Sequence, residues 1–248
     1  MKADPTQQLR LLDLQAIDTR LDQIRHAATR LPEIARLSEL EDRTVAVRAD
    51  LVRAETALAD IQSEVARAES DVQLVRERMA RDQQRLDSGS GSSKDLQALQ
   101  HEVASLTRRQ GELEDVEIEV MERAETAEAD VARLRAERDE LAGSEGELVA
   151  ARDAALAELD KERDELTVPR ETLVFQVGKD LLALYEKVRA HSGGLAASAL
   201  RARRCGGCQL ELNPMELKRL AAAPADEVLR CEECDRILVR TAESGLPA

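Results

Sequence analysis

The stretch Leu86-Asp87-Ser88-Gly89-Ser90-Gly91-Ser92-Ser93 decides how this chain is arranged. Alternating serine and glycine cannot continue a helix, so residues 87–92 read as a tight reversal, and Ser92 or Ser93 can cap the next helix. Before the reversal, seam positions step in alternating threes and fours: Thr44, Val47, Leu51, Ala54, Leu58, Ile61, Val65, Ala68, Val72, Val75, Met79, Asp82 and Leu86. That is the a/d seam of a coiled coil, flanked by Arg, Glu and Asp. After the reversal the seam resumes at Leu96, Leu99, Val103 and Leu106 and continues to Leu141, with Gln110, Glu117 and Arg138 intruding. A short polar loop between two long heptad arrays favours an antiparallel hairpin within one chain over a parallel dimer.

Farther out, an earlier seam runs through Leu14, Ile17, Leu21, Ile24, Ala28 and Leu31, out of phase with the one that starts at Thr44. The phase breaks at Leu31-Pro32, where proline removes a backbone donor and clashes with the preceding turn. With the tip near Ser90, Pro32 should face the neighbourhood of residue 147, beside Gly143-Ser144-Glu145-Gly146. A joint is therefore expected near 32 and 143–146. Pro169 is expected to end the returning arm, leaving a trailing helix at 170–191 that carries Leu173, Val177, Leu181, Leu184 and Val188. Residues 1–192 then form the helical hairpin with its trailing helix.

The only four cysteines fall in two pairs, Cys205-Gly206-Gly207-Cys208 and Cys231-Glu232-Glu233-Cys234, with 22 residues between the pairs. This is the ligand spacing of a structural zinc site: two tight turns each aim two thiolates at one metal, and four thiolates leave no open coordination position. One structural Zn2+ is expected, in a ribbon spanning residues 200–245. Asn213-Pro214 signals the start of a short helix, and 226–230 with 237–240 suit a small β-hairpin around the second pair. The ribbon offers little apolar core by this reading and should depend on its metal for folding. The fold class is mostly α: a long antiparallel coiled-coil hairpin with a small C-terminal β zinc ribbon.

Composition agrees with that picture. Of 248 residues, 35% are charged and only 1% aromatic, with Phe175 and Tyr185 as the sole rings of Phe or Tyr and no Trp. Long exposed helices have this balance, and a large globular core does not. No N-terminal apolar run reads as a signal peptide, and no stretch approaches transmembrane length, so no membrane association is expected. Free thiolates for zinc fit a reducing compartment, and the cytoplasm is the expected location.

The chain resembles the bacterial C4-type zinc ribbon family that carries an N-terminal coiled-coil hairpin. The matching pieces are Leu31-Pro32, the stretch from Ser93 to Glu102, the stretch from Leu181 to Arg189, and Cys231 to Leu238. The resemblance implies a helical rod with a zinc ribbon at its base. It also implies a role in binding nucleic acid or in holding protein partners, among them transcription and secretion components. The chain departs from the pattern in having Asp235 where glycine is common and Val239 where an aromatic often sits; the second weakens any base-stacking role.

Charge separates these two roles. Residues 200–248 hold eight of the 36 basic and eight of the 50 acidic side chains, so the whole net charge of −14 lies on residues 1–199. So acidic a helical region repels phosphate. Arg201, Arg203, Arg204, Lys218, Arg219 and Arg236 could gather into a basic patch on the ribbon, but no aromatic ring lies there to stack on bases. His26, His101 and His191 are scattered along the helices with no nucleophile partner suggested. The expected function is therefore a non-enzymatic adaptor or scaffold that binds protein partners, without catalytic residues or a small-molecule substrate. The alternative is RNA or DNA binding through the basic patch.

Overall fold

The computed structural model describes residues 1–246. In chain order the elements are α1 (Pro5–Thr29), α2 (Pro32–Asp87), α3 (Ser93–Val177), α4 (Lys179–His191), β1 (Ala197–Arg201), β2 (Arg204–Cys205), α5 (Pro214–Ala222), β3 (Leu229–Arg230) and β4 (Ile237–Val239). They divide into a hairpin unit, Arg36–Val149, and a terminal unit made from both ends of the chain, Met1–Ala35 with Ala150 onward.

In the hairpin unit, α2 and α3 run antiparallel. Ion pairs between them retreat along α3 as they advance along α2: Arg43 with Glu137 at 2.8 Å, Glu55 with Arg135 at 2.7 Å, Glu64 with Arg123 at 2.9 Å and Arg78 with Glu102 at 2.5 Å. Between these rows the seam buries Val47, Leu51, Ala68, Val72, Leu106, Val120, Val131, Leu134 and Leu141. At the tip, the Ser92 hydroxyl accepts from the Asp95 backbone N–H at 3.3 Å, and the Asp95 carboxylate accepts from the Ser92 N–H at 3.0 Å. This reciprocal cap starts α3 where the serine-glycine run ends.

Two expectations about helix breaks need correction. No break occurs at 143–146: α3 is continuous there, and both glycines are exposed with open space where a Cβ would sit. A glycine costs about 1 kcal/mol against alanine in a helix, which an 85-residue helix held by a long seam absorbs. The chain breaks near Pro32, which occupies the first position of α2, where its missing N–H has no intrahelical role. Nor does Pro169 end α3. It lies inside the helix, and the trailing helix starts at Lys179 rather than 170. The break falls at Gly178, whose φ of 83° suits glycine and whose Cβ would meet the Gln7 amide at 2.9 Å.

The terminal unit has a core with contacts from distant parts of the sequence. Leu11 and Leu14 of α1, Val177, Leu181, Tyr185 and Val188 from the end of α3 and α4, and Ala196, Ala197, Ile237 and Val239 from the strand region form one buried cluster. The four strands lie in the order β2-β1-β4-β3, with β1 parallel to β4 and the other pairs antiparallel. The ribbon therefore begins before residue 200, at a strand, Ala197–Arg201, whose short Ala/Ser-rich sequence carries little strand signal. Nor does the ribbon lack a core: Leu200, Leu212, Leu217, Leu220, Leu229 and Leu238 pack around Cys205 and Cys231. Three of these leucines sit on or just before α5 and become a core only when α5 lies on the sheet.

Candidate metal centre and its surroundings

The two cysteine pairs adopt one backbone design twice. In each, the first cysteine's carbonyl accepts from the residue four positions on, Gln209 at 2.8 Å and Asp235 at 2.9 Å. Its N–H donates to the carbonyl five positions on, Leu210 at 3.0 Å and Arg236 at 2.9 Å. The residue after the second cysteine is left-handed in both turns, with φ of 63° at Gln209 and 58° at Asp235. That conformation explains why glycine suits position 235. Aspartate tolerates it, and here its carboxylate pairs with Arg230. Gly206 has a different need: a Cβ there would lie 2.8 Å from the Ala199 carbonyl oxygen, against which the first turn packs.

These turns bring the Sγ atoms of Cys205, Cys208, Cys231 and Cys234 within 4.8 Å of one another. Two of the four cross-turn separations are 3.8 Å for Cys205–Cys234 and 3.9 Å for Cys208–Cys231. A tetrahedron with Zn–S bonds of about 2.3 Å has edges of roughly 3.8 Å, so the donor set fits zinc. Backbone donors are aimed at the sulfurs, among them the Gly207 N–H at 3.4 Å from Cys205 Sγ, and the Ser198 hydroxyl lies 3.6 Å from the same atom. Burial opposes ionisation of Cys205, but N–H groups of Cys208 and Gly207 and the Ser198 hydroxyl outweigh it and bring this thiol down to about 7. Burial pushes Cys231 up to about 12. A dication is what allows four clustered thiols to ionise together, since a coordinating thiol is deprotonated outright. The four cysteines thus form a structural site for one zinc ion.

The six basic residues singled out in the sequence do not form one continuous patch of free charge. Arg236 is a brace: its Nε donates to the Leu195 carbonyl at 2.8 Å and its Nη2 to that of Ser192 at 3.2 Å. Arg219 grips the buried Glu216 with both ends of its guanidinium, at 2.5 and 2.8 Å, and holds that carboxyl below the usual range. Arg203 reaches the Gly245 carbonyl at 3.3 Å. Arg201 and Arg204 are exposed and loosely paired, with Glu243 at 3.3 Å and Glu211 at 3.7 Å. Lys218 is exposed on α5.

The unit that holds the metal centre also contains a polar network that sequence reasoning missed. Asp18 of α1 is fully buried; it accepts from Arg170 Nε at 2.6 Å and from the Tyr185 hydroxyl at 2.8 Å, and Arg189 approaches to 3.8 Å. Arg189 also donates to Asp22 at 2.7 Å. One turn before Asp18, Gln15 is buried and its Oε1 accepts from the N–H groups of Ala196 at 2.7 Å and Ala197 at 3.1 Å, tying α1 to the start of β1. Only the stretch from Leu181 to Arg189 carried a trace of this, because it supplies Tyr185 and Arg189. Asp18 and Gln15 look like ordinary polar helix positions.

Comparison with known proteins agrees with this architecture. Residues 14–193 match the model of the CT398-like coiled coil hairpin domain, and 204–238 match that of the C4-type zinc ribbon domain. The chain is 39% identical to the Mycobacterium tuberculosis protein Rv2229c over 243 residues, covering 97% of this chain and 98% of the relative. A Mycobacterium leprae protein, ML1638, is 31% identical over 227 residues, covering 90% and 96%. Among solved structures, one from Mycobacterium smegmatis superposes with a TM-score of 0.83 at 40% identity, over 97% of this chain and all of that one. CT398 from Chlamydia trachomatis shares the fold at a TM-score of 0.66 and 16% identity, over 95% of this chain and 98% of its own. The chain belongs to the family of CT398-like coiled-coil hairpin proteins that end in a C4-type zinc ribbon.

Proposed function

We propose that the chain is a non-enzymatic adaptor that holds protein partners. Four thiolates saturate a tetrahedral zinc, so the metal serves structure and offers no open position to a substrate. The observation that carries the reading is Phe175, the only phenylalanine in the chain, whose side chain on the terminal-unit part of α3 is 89% exposed. Val168 is 68% exposed two helical turns earlier on the same face. Aromatic side chains such as phenylalanine are enriched in the buried cores of protein interfaces. The pairing of Arg203, Arg219 and Arg236 within the fold supports the same reading, since it leaves fewer free cations for phosphate.

The test is capture from native lysate on the immobilised full chain, with and without nuclease. Proteins are expected to stay bound after nuclease treatment and to be lost from a Phe175→Ser variant, which removes no buried contact. Partners that disappear with nuclease, and are indifferent to Phe175→Ser, would overturn the proposal in favour of nucleic acid.

A further inference from the structure

The link between β1 and β2 is a two-residue hairpin loop, Ala202-Arg203, with φ of 44° and 64°. Loops of this hand match the twist of their strands, but Asn and Gly ordinarily build them, and here neither is present. The chain near its C-terminal end holds the strained turn in place: Ala202 and Arg203 donate their N–H groups to the carbonyls of Glu243 at 2.8 Å and Ser244 at 2.9 Å. What the turn achieves is placement. It sets Arg201 and Arg204 directly opposite each other across the antiparallel pair. Like charges in that arrangement repel.

Both guanidinium-bearing residues line one cleft of about 510 Å³ between α1 and the first cysteine turn. Leu12, Ala16, Leu195 and Ala199 supply its aliphatic lining. Neither arginine is committed elsewhere: each is paired at 3.3 Å or more with a carboxylate over 60% exposed, a kind of pair that contributes little and is readily exchanged. Two left-handed non-glycine residues and a like-charge pair thus meet beside this cleft, the kind of local cost that functional surfaces carry.

We propose that this cleft takes an extended acidic segment of a partner protein. Carboxylates of the segment sit on Arg201 and Arg204, and a neighbouring aliphatic side chain lies on the lining formed by Leu12, Leu195 and Ala199. The proposal rests on the adaptor reading above and names the chemistry of what is held. The guanidinium fork matches a carboxylate in two parallel hydrogen bonds. Two features favour a peptide over a nucleic acid. Among the described residues no aromatic side chain lines the cleft, so bases have no ring to stack on. A net charge of −14 opposes a polyanion running along many phosphates more than a segment bearing two carboxylates.

The test is panning of the zinc-loaded full chain against a phage-displayed library of random peptides. Enriched sequences are expected to place Asp or Glu beside Leu, Ile or Val. A fluorescein-labelled peptide of the enriched sequence should bind Arg201→Gln/Arg204→Gln roughly a hundredfold more weakly, about tenfold per guanidinium, with zinc content and helicity unchanged. Arg201→Lys/Arg204→Lys, which keeps charge but loses the fork, should fall between, and Lys218→Gln outside the cleft should match the parent. No enrichment, enrichment without acidic residues, or equal binding by the double glutamine variant would overturn the proposal. A single-stranded oligonucleotide that binds more tightly than the peptide and is lost in the same variant would assign the cleft to nucleic acid instead. If nuclease-resistant partners remain on the double glutamine variant, the cleft proposal falls and the adaptor reading stands. If no partner resists nuclease on the parent chain, the adaptor reading itself falls.

Discussion

The hairpin unit and the terminal unit draw on the same few residue types and reach stability by different routes. In the hairpin unit, order is one-dimensional: a narrow seam of Leu, Val and Ala, with surface ion pairs on either side and no buried charge network. Each layer touches its neighbours, so loss of one layer is a local loss. In the terminal unit, one buried carboxylate and one tyrosine join segments more than 150 residues apart, and a four-sulfur cluster joins two separate turns of the ribbon. Few groups carry many connections there. The comparison teaches that a low aromatic content does not exclude a compact core, provided the few large or charged groups are placed where segments meet.

Paired truncations should sharpen that contrast. Asp18→Ala strips a fully buried carboxylate from Arg170, Arg189 and Tyr185, leaving the buried Tyr185 hydroxyl without its acceptor and the two guanidiniums with only Glu186 and Asp22. Because Arg170 and Arg189 retain some contact with water, the cost should lie near the low end for a broken buried pair, about 3 kcal/mol in chemical denaturation. Leu51→Ala removes a seam residue packed on Val131 and Leu134, and should cost about 2 kcal/mol, confined to the hairpin unit. Unfolding tracked by hydrogen exchange should place the first loss in the terminal unit and the second around residues 51 and 131–134. If Leu51→Ala loosened both units together, the idea of separate routes would be broken.

The smallest effect is a pH dependence. Burial, and next the hydrogen bond to the Asp18 carboxylate, hold the Tyr185 hydroxyl far above its ordinary range. Unfolded tyrosine ionises near pH 10 while the folded one stays protonated, so above that pH the native state binds the extra proton. Stability from this group is complete below about pH 10 and should then decline by about 1.4 kcal/mol per pH unit. Tyr185 is the only tyrosine and there is no tryptophan, so phenolate absorbance reports on it alone. The native chain should show none at pH 11, and Tyr185→Phe should remove the alkaline decline. Phenolate appearing at pH 10 in the folded chain would contradict the buried contact.

The same contrast governs how much was legible in the sequence. The seam from Thr44 to Leu86, its return from Leu96 and the reversal at 87–92 are local patterns, and so are the cysteine pairs. The terminal unit's core was not legible. Asp18, Gln15 and the strand Ala197–Arg201 acquire their roles only from partners far along the chain, and nothing in their own neighbourhood marks them. Breaks were misread for a related reason. Pro169 and Gly143 are helix breakers by local preference, but α3 continues through both, whereas Gly178 breaks it with a left-handed φ. The ribbon leucines likewise spread over α5, β1, β3 and β4 and show no single period.

The central claim is that the metal centre supports the terminal unit while the hairpin unit holds itself. Hydrogen exchange on the full chain, before and after zinc is stripped by a chelator, tests this most directly. Metal-linked folding energy is large, so amides of residues 197–201, 205–210 and 229–239 should lose protection on stripping and regain it when zinc returns. Amides of residues 44–86 and 96–141 should keep theirs throughout. Loss of protection along the whole seam, or unchanged protection in the strands, would contradict the account.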